Sequence, residues 1–362
     1  MSQFKVPPED RLSPFQIFTH AYKVVDGHSV LVDIRIPKKL IDEGPAGSSW
    51  KIKCPVIVQI HGGWLIGGQR NNVPWCALWL LELALKHNAI LVSPDYRFLP
   101  EATGEQILDD MHDFWNWLAS DLPITIETSF PGLGVDLDRV LVQGGSAGGY
   151  LSVQVALQNF KPAPSEDKGP SVPFPKIRAL IIMYPMLDLR APHWTQDYHK
   201  QIYNLPQYPN SLIDEHITAI KNAAIKPVLS NANLVGTFRG KLAIAVVQRG
   251  RLVELLGDEK DPAPGKRRLI TEDRVKDGRK LPPTFFIHGI DDSGVPIGVT
   301  DRFIELLKEH KAVDGMEKGK ADTEVLRFAR VPGEHGFDSD LGAESTEWMK
   351  EGLAFVEQYW LN

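Results

Sequence analysis

The sequence predicts an α/β fold with a mostly parallel central sheet, because strand-like and helix-like segments alternate along most of its 362 residues. Several strand-like runs are almost continuously apolar, which is typical of strands buried on both faces of a parallel sheet. These runs are residues 55–63, 89–96, 139–145, 178–185 and 283–289. A stretch of about ninety residues between the last two runs breaks the alternation and predicts an inserted segment.

The remaining elements follow from their periodicity. Residues 30–36 (VLVDIRI) alternate in polarity, as a half-exposed early strand should, and residues 324–331 (EVLRFARV) predict the last strand. Apolar residues recur at helical spacing in two segments, at Ile107, Met111, Phe114 and Leu118 and again at Met349, Leu353, Val356 and Trp360. We expect both segments to be helices packed against the sheet.

The long interruption covers residues 189–280. It contains helix-like pieces at residues 212–225 and 241–256, which are separated by prolines. Structureless loops of this length are rare in compact domains. The segment therefore predicts a helical cap inserted between two strands of the sheet.

Composition and charge exclude several classes of function. The formal charge of −6 and the absence of a basic stripe argue against a nucleic-acid partner. The N-terminus lacks the apolar core of a signal peptide, and the longest apolar run, residues 179–187, is too short to span a membrane. The two cysteines, Cys54 and Cys76, do not indicate oxidative folding. We expect a cytoplasmic protein, and the sequence leaves a homodimer open.

A serine flanked by glycines marks the candidate site. Ser146 follows the run at residues 139–145 and lies within GGSAG, a G-x-S-x-G pattern. A serine on a sharp turn from strand to helix needs neighbours without side chains, so that the turn can close and a substrate can approach. The pattern alone is only suggestive, but no phosphate-loop motif competes with it here.

A serine nucleophile requires a base, a group that orients the base, and donors for an oxyanion. His335 follows the last predicted strand and is the candidate base. Asp291 and Asp292 follow the strand before it, and either could orient the histidine. The motif at residues 61–64, HGGW, stands at the end of an earlier strand, where this arrangement takes its oxyanion amides. The chain order Ser, Asp, His is that of the hydrolases with a G-x-S-x-G elbow.

Taken together, these motifs resemble the α/β-hydrolase superfamily, and in particular its hormone-sensitive-lipase-like carboxylesterases. Residues 95–101 (DYRFLPE) are similar to that group's DYRLAPE, and residues 184–188 (YPMLD) and 281–284 (LPPT) stand where the group has comparable stretches. Two positions depart from the group's pattern. Gly145 replaces the aspartate that usually precedes the serine, and Trp64 replaces the last glycine of HGGG.

The resemblance implies an α/β-hydrolase fold and assigns further roles. The amides of Gly63, Trp64 and Ala147 would form the oxyanion hole. Asp292, the fourth residue after His288, would be the acid of the triad. Residues 1–28 would join residues 189–280 in the cap, and residues 29–188 and 281–362 would form the two parts of the hydrolase core.

The predicted function is hydrolysis of a small to medium, apolar or aromatic carboxylic ester through an acyl-enzyme. We expect Trp64, Trp194 and Tyr150 to contact the substrate. No cofactor is expected, and no grouping of side chains has metal-ligand spacing. Two alternatives remain: the same triad could serve a biosynthetic thioesterase, lactonase, amidase or acyltransferase, or the fold could be a non-catalytic small-molecule receptor. Retention of His335 favours an enzyme.

Overall fold

A computed structural model describes residues 10–42, 52–157, 174–225, 227–257, 269–317 and 321–362. Within these residues one eight-stranded sheet runs in the order β1-β2-β4-β3-β5-β6-β7-β8. The strands are β1 Phe15–Val25, β2 His28–Pro37, β3 Ile52–Ile60, β4 Ile90–Pro94, β5 Leu133–Gly145, β6 Ile177–Met183, β7 Thr284–Gly289 and β8 Leu326–Val331. In this order, every pair of neighbouring strands from β4 through β3 to β8 is parallel. The pairs β1–β2 and β2–β4 are antiparallel. The predicted α/β fold with a mostly parallel sheet is confirmed.

Helices cover both faces of the sheet. They are α1 Lys38–Asp42, α2 Leu78–Lys86, α3 Gly104–Ser129, α4 Ala147–Ala156, α5 Pro192–Thr195, α6 Ser211–Asn222, α7 Phe238–Gln248, α8 Leu252–Leu256, α9 Thr271–Lys276, α10 Ile297–Glu309 and α11 Glu347–Trp360. The apolar stripes predicted for α3 and α11 are buried, as expected. Thr103 and Gln106 form a capping box that fixes the start of α3.

The apolar strands are explained by this double coverage. Val56 and Val58 of β3 pack into the larger of two core clusters, together with residues of α3 and α4. Ile57, which lies between them, faces the other cluster, formed with α2 and α11. Because successive side chains of a strand point to opposite faces, a strand buried on both sides must be apolar throughout.

The N-terminal segment does not follow its predicted assignment to the cap. Phe15–Val25 forms strand β1, which pairs with β2 at the edge of the sheet. The two strands are joined by Asp26 and Gly27, both with positive φ (48° and 81°), which is the geometry of a tight two-residue hairpin. Residues 1–9 lie outside the described residues.

Within residues 189–225, 227–257 and 269–280, the described parts of the insertion, the chain forms helices α5 to α9, between β6 and β7. The piece predicted at residues 212–225 corresponds to α6. The piece predicted at residues 241–256 is divided into α7 and α8, because Gly250 adopts a φ of 64° between them. A Cβ atom at Gly250 would lie 2.3 Å from the Gln196 nitrogen, so the chain packs too closely there for a larger residue.

Candidate active site

Ser146 lies at the junction of β5 and α4, with φ 57° and ψ −122°, outside the regions that a serine normally occupies. The glycines around it allow close backbone packing. A Cβ atom on Gly144 would lie 2.2 Å from the Gly148 carbonyl oxygen, and one on Gly148 would lie 2.0 Å from that of Ile60. The GGSAG sequence thus makes a sharp strand-to-helix turn that holds the serine at its tip.

Gly145 departs from the aspartate of the related motif, and its surroundings explain why a small residue is needed. A Cβ atom at this position would lie 3.1 Å from Cε2 of Tyr184, whose ring covers the turn. The Tyr184 hydroxyl donates a 2.6 Å hydrogen bond to Oδ1 of Asp338. The tyrosine ring, held by a buried carboxylate, therefore occupies the space beside the turn.

His335 and Asp292 are joined by a 2.7 Å hydrogen bond between the imidazole Nδ1 and the carboxylate Oδ2. Oδ1 of Asp292 accepts from the backbone amides of Gly294 (2.9 Å) and Val295 (2.7 Å). Burial by itself raises the pKa of Asp292, but His335 and the hydrogen bonds from His288, His335 and Val295 lower this pKa overall, well below its usual range. The carboxylate is therefore ionised and fixed in orientation at neutral pH.

The neighbouring acid points elsewhere. Oδ2 of Asp291 accepts from the Gly333 amide at 3.0 Å, and the residue is exposed. His288 is fully buried, as expected for a core histidine. Its Nδ1 lies 2.8 Å from Thr300 Oγ1, and its Nε2 lies 2.8 Å from the Val295 carbonyl oxygen and 3.3 Å from Asp292 Oδ2. The structure thus brings Asp292, and not Asp291, to His335.

Ser146 and His335 line the same cavity, which has a volume of about 480 Å³. Part of its wall comes from the insertion at residues 189–280, through Tyr203, Leu205, Tyr208, Leu234 and Ile244. These side chains are mainly apolar, so the insertion supplies an apolar part of the cavity wall. The sequence had not singled out any of them.

The HGGW loop follows β3 and borders the cavity. Gly63 has φ 118°, and a Cβ atom there would lie 2.0 Å from the Gly67 carbonyl oxygen. Among the described residues, the amides of Gly63 and Trp64 donate to no backbone carbonyl. Ala147 is the first residue of α4, where the helix itself supplies no acceptor for the amide. These three amides are therefore available to a ligand.

The Trp64 side chain packs over the histidine. Its ring lies nearly parallel to that of His335, with 6.3 Å between centroids, and tilted against that of Tyr203 at 5.8 Å. The residue adopts φ 53° and lines the cavity. Trp64 therefore borders the cavity, and its contact with a substrate stays a prediction.

Trp194 and Tyr150, the other two predicted substrate contacts, do not reach the cavity. Trp194 is fully buried and donates from Nε1 to the Leu187 carbonyl oxygen at 3.1 Å. Tyr150 lies on the core side of α4, and its hydroxyl donates to the Leu269 carbonyl oxygen at 2.8 Å. Both prefer the core because each polar atom finds a backbone acceptor there while the ring stays buried.

The charged residues of the DYRFLPE segment form separate buried ion pairs. Asp95 pairs with Arg70 at 2.6 Å, and Arg97 pairs with Asp110 at 2.8 Å. Glu101 reaches into the insertion and accepts from Arg239 of α7. Glu101 therefore ties the hydrolase core to the insertion.

Two further features concern the described residues only. None of the helices in the described ranges is long and apolar enough to cross a membrane. Histidine, cysteine and carboxylate side chains form no group of three or more that could hold a metal ion in this part of the chain.

The elbow, the Asp–His pair and the sheet order define an α/β-hydrolase with a serine site. The family profile of the alpha/beta hydrolase fold matches residues 57–248, and the chain belongs to this family. A probable carboxylesterase, M8 of Phoma sp., is 31% identical over 358 residues, which cover 98% of this chain and 99% of that protein.

Similarity also extends to larger proteins and to solved structures. The non-reducing polyketide synthase pkbA of Emericella nidulans is 25% identical over an alignment that covers 93% of this chain and 14% of the synthase. The crystal structure of esterase B from Lactobacillus rhamnosis superposes with a TM-score of 0.55 at 18% identity, over 97% of this chain and 89% of that one. The structural likeness shows the shared fold.

Proposed function

We propose that this α/β-hydrolase is a serine carboxylesterase in which Ser146 is the nucleophile, His335 the general base and Asp292 the residue that orients the base. The observation that carries the proposal is the 2.7 Å hydrogen bond from His335 Nδ1 to Asp292, beside the same cavity that Ser146 lines from its strained turn. Nδ1 of His335 is then the protonated nitrogen, so that Nε2 is free to accept a proton.

The reaction proceeds by acyl transfer. The Ser146 hydroxyl adds to the ester carbonyl carbon as its proton passes to Nε2 of His335, and the amides of Gly63, Trp64 and Ala147 hold the oxyanion. The carbon–oxygen bond to the alcohol then breaks, and His335 returns the proton to the alcohol as it leaves. Water then adds to the carbonyl carbon of the acyl-enzyme as its proton passes to Nε2 of His335. The bond to Ser146 Oγ breaks, His335 returns the proton to this oxygen, and the carboxylic acid is released.

Two measurements test the assignment of the nucleophile. A fluorophosphonate probe should label the wild-type protein at Ser146, and p-nitrophenyl esters should be turned over. Ser146→Ala should lose both reactions while its circular dichroism and melting temperature stay close to wild type, because Ser146 lines an existing cavity and the loss of its hydroxyl opens no new void in the core. Substantial esterase activity in folded Ser146→Ala would contradict the triad. A folded wild-type protein that neither labels nor hydrolyses esters would favour the receptor alternative.

The apolar wall supports esters with small to medium acyl or alcohol groups as substrates. Leu205 lines the cavity from the insertion and is 37% exposed, so a larger side chain fits there with little strain. Leu205→Trp should lower the hydrolysis of p-nitrophenyl hexanoate relative to acetate, because the added ring removes room that only the longer chain needs. Ile225→Trp, at an exposed position of the insertion outside the cavity lining, is the matched control. An unchanged hexanoate-to-acetate ratio in Leu205→Trp would place the acyl chain elsewhere.

A second candidate function is hydrolysis of an acyl thioester, or transfer of the acyl group to an alcohol, at the same site. The similarity to a segment of polyketide synthases favours this candidate. Comparing an oxygen ester with the thioester of the same acyl group, with and without an added alcohol acceptor, distinguishes the reactions.

We propose that the protein is located in the cytoplasm. The two free, buried cysteines support a reducing compartment.

A further inference from the structure

A row of polar side chains crosses the sheet below the cavity. Ile57, Leu91 and Leu141 lie in the apolar cluster under α2 and α11. Two residues further along β3, β4 and β5, on the same face of the sheet, stand Gln59, Ser93 and Gln143. Gln59 and Gln143 are direct neighbours in the register of β3 and β5. All three residues line the cavity, and we call them the polar floor.

Gln143 offers an acceptor that the described protein does not use. Its side chain is 6% exposed, and its buried Oε1 has no hydrogen-bond partner. Buried polar atoms are nearly always paired, so an unpaired one beside a cavity indicates a partner that enters from the cavity. Gln143 lies on β5, three residues before Ser146, roughly 10 Å along the chain.

The side-chain amide of Gln59 is oriented so that it presents a donor, whereas Gln143 presents an acceptor. Its Oε1 accepts from Nη1 of Arg35 at 2.9 Å and from Sγ of Cys76 at 3.9 Å. An arginine can only donate, so Arg35 fixes which end of the amide is the oxygen. The amino group of Gln59 is therefore left as a donor beside the acceptor of Gln143.

The charged groups near the polar floor are two guanidinium groups, Arg35 and Arg70, and two carboxylates, Asp33 and Asp95, so their formal charges cancel. Arg35 donates to Gln59 Oε1 at 2.9 Å and to the Arg70 carbonyl oxygen at 2.5 Å. Arg70 is paired with Asp33 and Asp95 at 2.8 and 2.6 Å, so its charge is already offset. Asp338 lines the same cavity, and burial raises the pKa of its carboxyl group. A carboxylate ligand would bring another negative charge into this buried region, whereas a hydroxyl would not.

We propose that the polar floor binds a hydroxyl group of the substrate, so that the preferred substrates are hydroxy-substituted esters. A hydroxyl both donates and accepts, and it can donate to Gln143 Oε1 while it accepts from the Gln59 amino group. This inference rests on the proposed esterase function. The hydroxyl can belong to the acyl part or to the alcohol part of the ester.

Two matched substrate series test the proposal. The acyl series compares methyl 3-(4-hydroxyphenyl)propanoate with methyl 3-(4-methylphenyl)propanoate, and the alcohol series compares 2-(4-hydroxyphenyl)ethyl acetate with 2-(4-methylphenyl)ethyl acetate. In each pair the substituents have similar size and are insulated from the ester by methylene groups. We expect kcat/KM to be at least about ten-fold higher for the hydroxy compound in one series, since the methyl compound leaves the amides unpaired. The series that shows the preference identifies the part of the ester on the floor.

Variants connect the preference to the polar floor. Gln143→Leu removes the acceptor, and the hydroxy-to-methyl ratio should fall to within about two-fold of unity. Gln358→Leu, the same change at an exposed position of α11, should keep the wild-type ratio. Gln143→Met, which is closer to glutamine in shape, replaces the leucine variant if that variant does not fold.

Failure of this inference can be distinguished from failure of the proposed function. In the wild type, a hydroxy-to-methyl ratio of kcat/KM within about two-fold of unity in both series would overturn the hydroxyl-binding role of the polar floor. If the methyl-substituted compounds are hydrolysed and Ser146→Ala is inactive, the proposed esterase function still holds. A preference that persists unchanged in folded Gln143→Leu would also overturn the hydroxyl-binding role. Absence of hydrolysis and of fluorophosphonate labelling would instead overturn the esterase function, and with it the inference.

Discussion

Replacing Asp292 by asparagine tests the centre of the proposed mechanism, because this change removes a charge and keeps the shape. In the protein Oδ1 of Asp292 accepts from two backbone amides, and Oδ2 accepts from His335 Nδ1. An asparagine side chain has only one oxygen. The amides of Gly294 and Val295 retain that oxygen, so the NH2 group must face His335.

The size of the effect follows from the histidine tautomer. An NH2 group facing Nδ1 can only donate, which forces the His335 proton onto Nε2. Nε2 then cannot accept the proton of Ser146, and the same change in a serine protease lowers turnover by about 10⁴-fold. We expect a loss of about 10³- to 10⁴-fold in kcat for Asp292→Asn with p-nitrophenyl acetate.

Asp291→Asn is the matched control. Asp291 is exposed, and its carboxylate accepts from the Gly333 amide rather than from His335. This variant should keep kcat within a few-fold of wild type. Circular dichroism and thermal melting would establish that both variants are folded. A folded Asp292→Asn with kcat within ten-fold of wild type, or the opposite ranking of the two variants, would refute the assignment.

Three further changes test the framework of the site. Gly148→Ala should abolish activity and lower the melting temperature, because the new Cβ atom would lie 2.0 Å from the Ile60 carbonyl oxygen; a stable, active variant would contradict the packing of the elbow. Glu101→Gln should lower the free energy of unfolding at pH 7 by about 3 kcal/mol. Burial alone would raise the pKa of Glu101, but the hydrogen bonds from His216 and Arg239 lower it to about 2. This contribution to stability is present above pH about 4.5 and is lost as pH falls towards 2. The difference in the free energy of unfolding between wild type and Glu101→Gln, measured by urea titration, should therefore become smaller over that range. Trp194→Ala should cost about 3 to 5 kcal/mol of stability without changing the hexanoate-to-acetate ratio, and a changed ratio would place this residue at the cavity after all.

The parallel part of the sheet could be predicted because its physical requirement is visible in single segments. A strand with helices on both faces is apolar where both faces are buried in the core, and the central parts of β3 to β7 satisfy this condition. Strand β1 was missed because it lies at an edge and mixes polar with apolar residues. The Asp26-Gly27 pair between two alternating segments was the available signal, since it predicts a tight hairpin.

Side chains that contact the cavity could not be chosen from residue type alone. Trp194 and Tyr150 were plausible as aromatic walls, but each has a backbone acceptor in the core, and the sequence does not reveal that acceptor. Gln143 gave a readable signal, because a glutamine interrupts an otherwise apolar strand just before the serine. A polar residue on a strand that is buried on both faces needs a hydrogen-bond partner. Such a residue close to the serine therefore suggests a partner in the site.

Trp64 is the residue at which the sequence and the structure give different views of the oxyanion loop. The sequence shows a large side chain where related motifs have glycine, which suggests a backbone conformation that tryptophan disfavours. The structure has this conformation, with φ 53° at Trp64 and 60° at Leu65. The indole ring packs against His335 and Tyr203, so that burial of the ring offsets the cost of the backbone. A glycine at this position would relieve the backbone but would also remove the ring that packs on His335, and the tryptophan therefore couples the oxyanion loop to the proposed base.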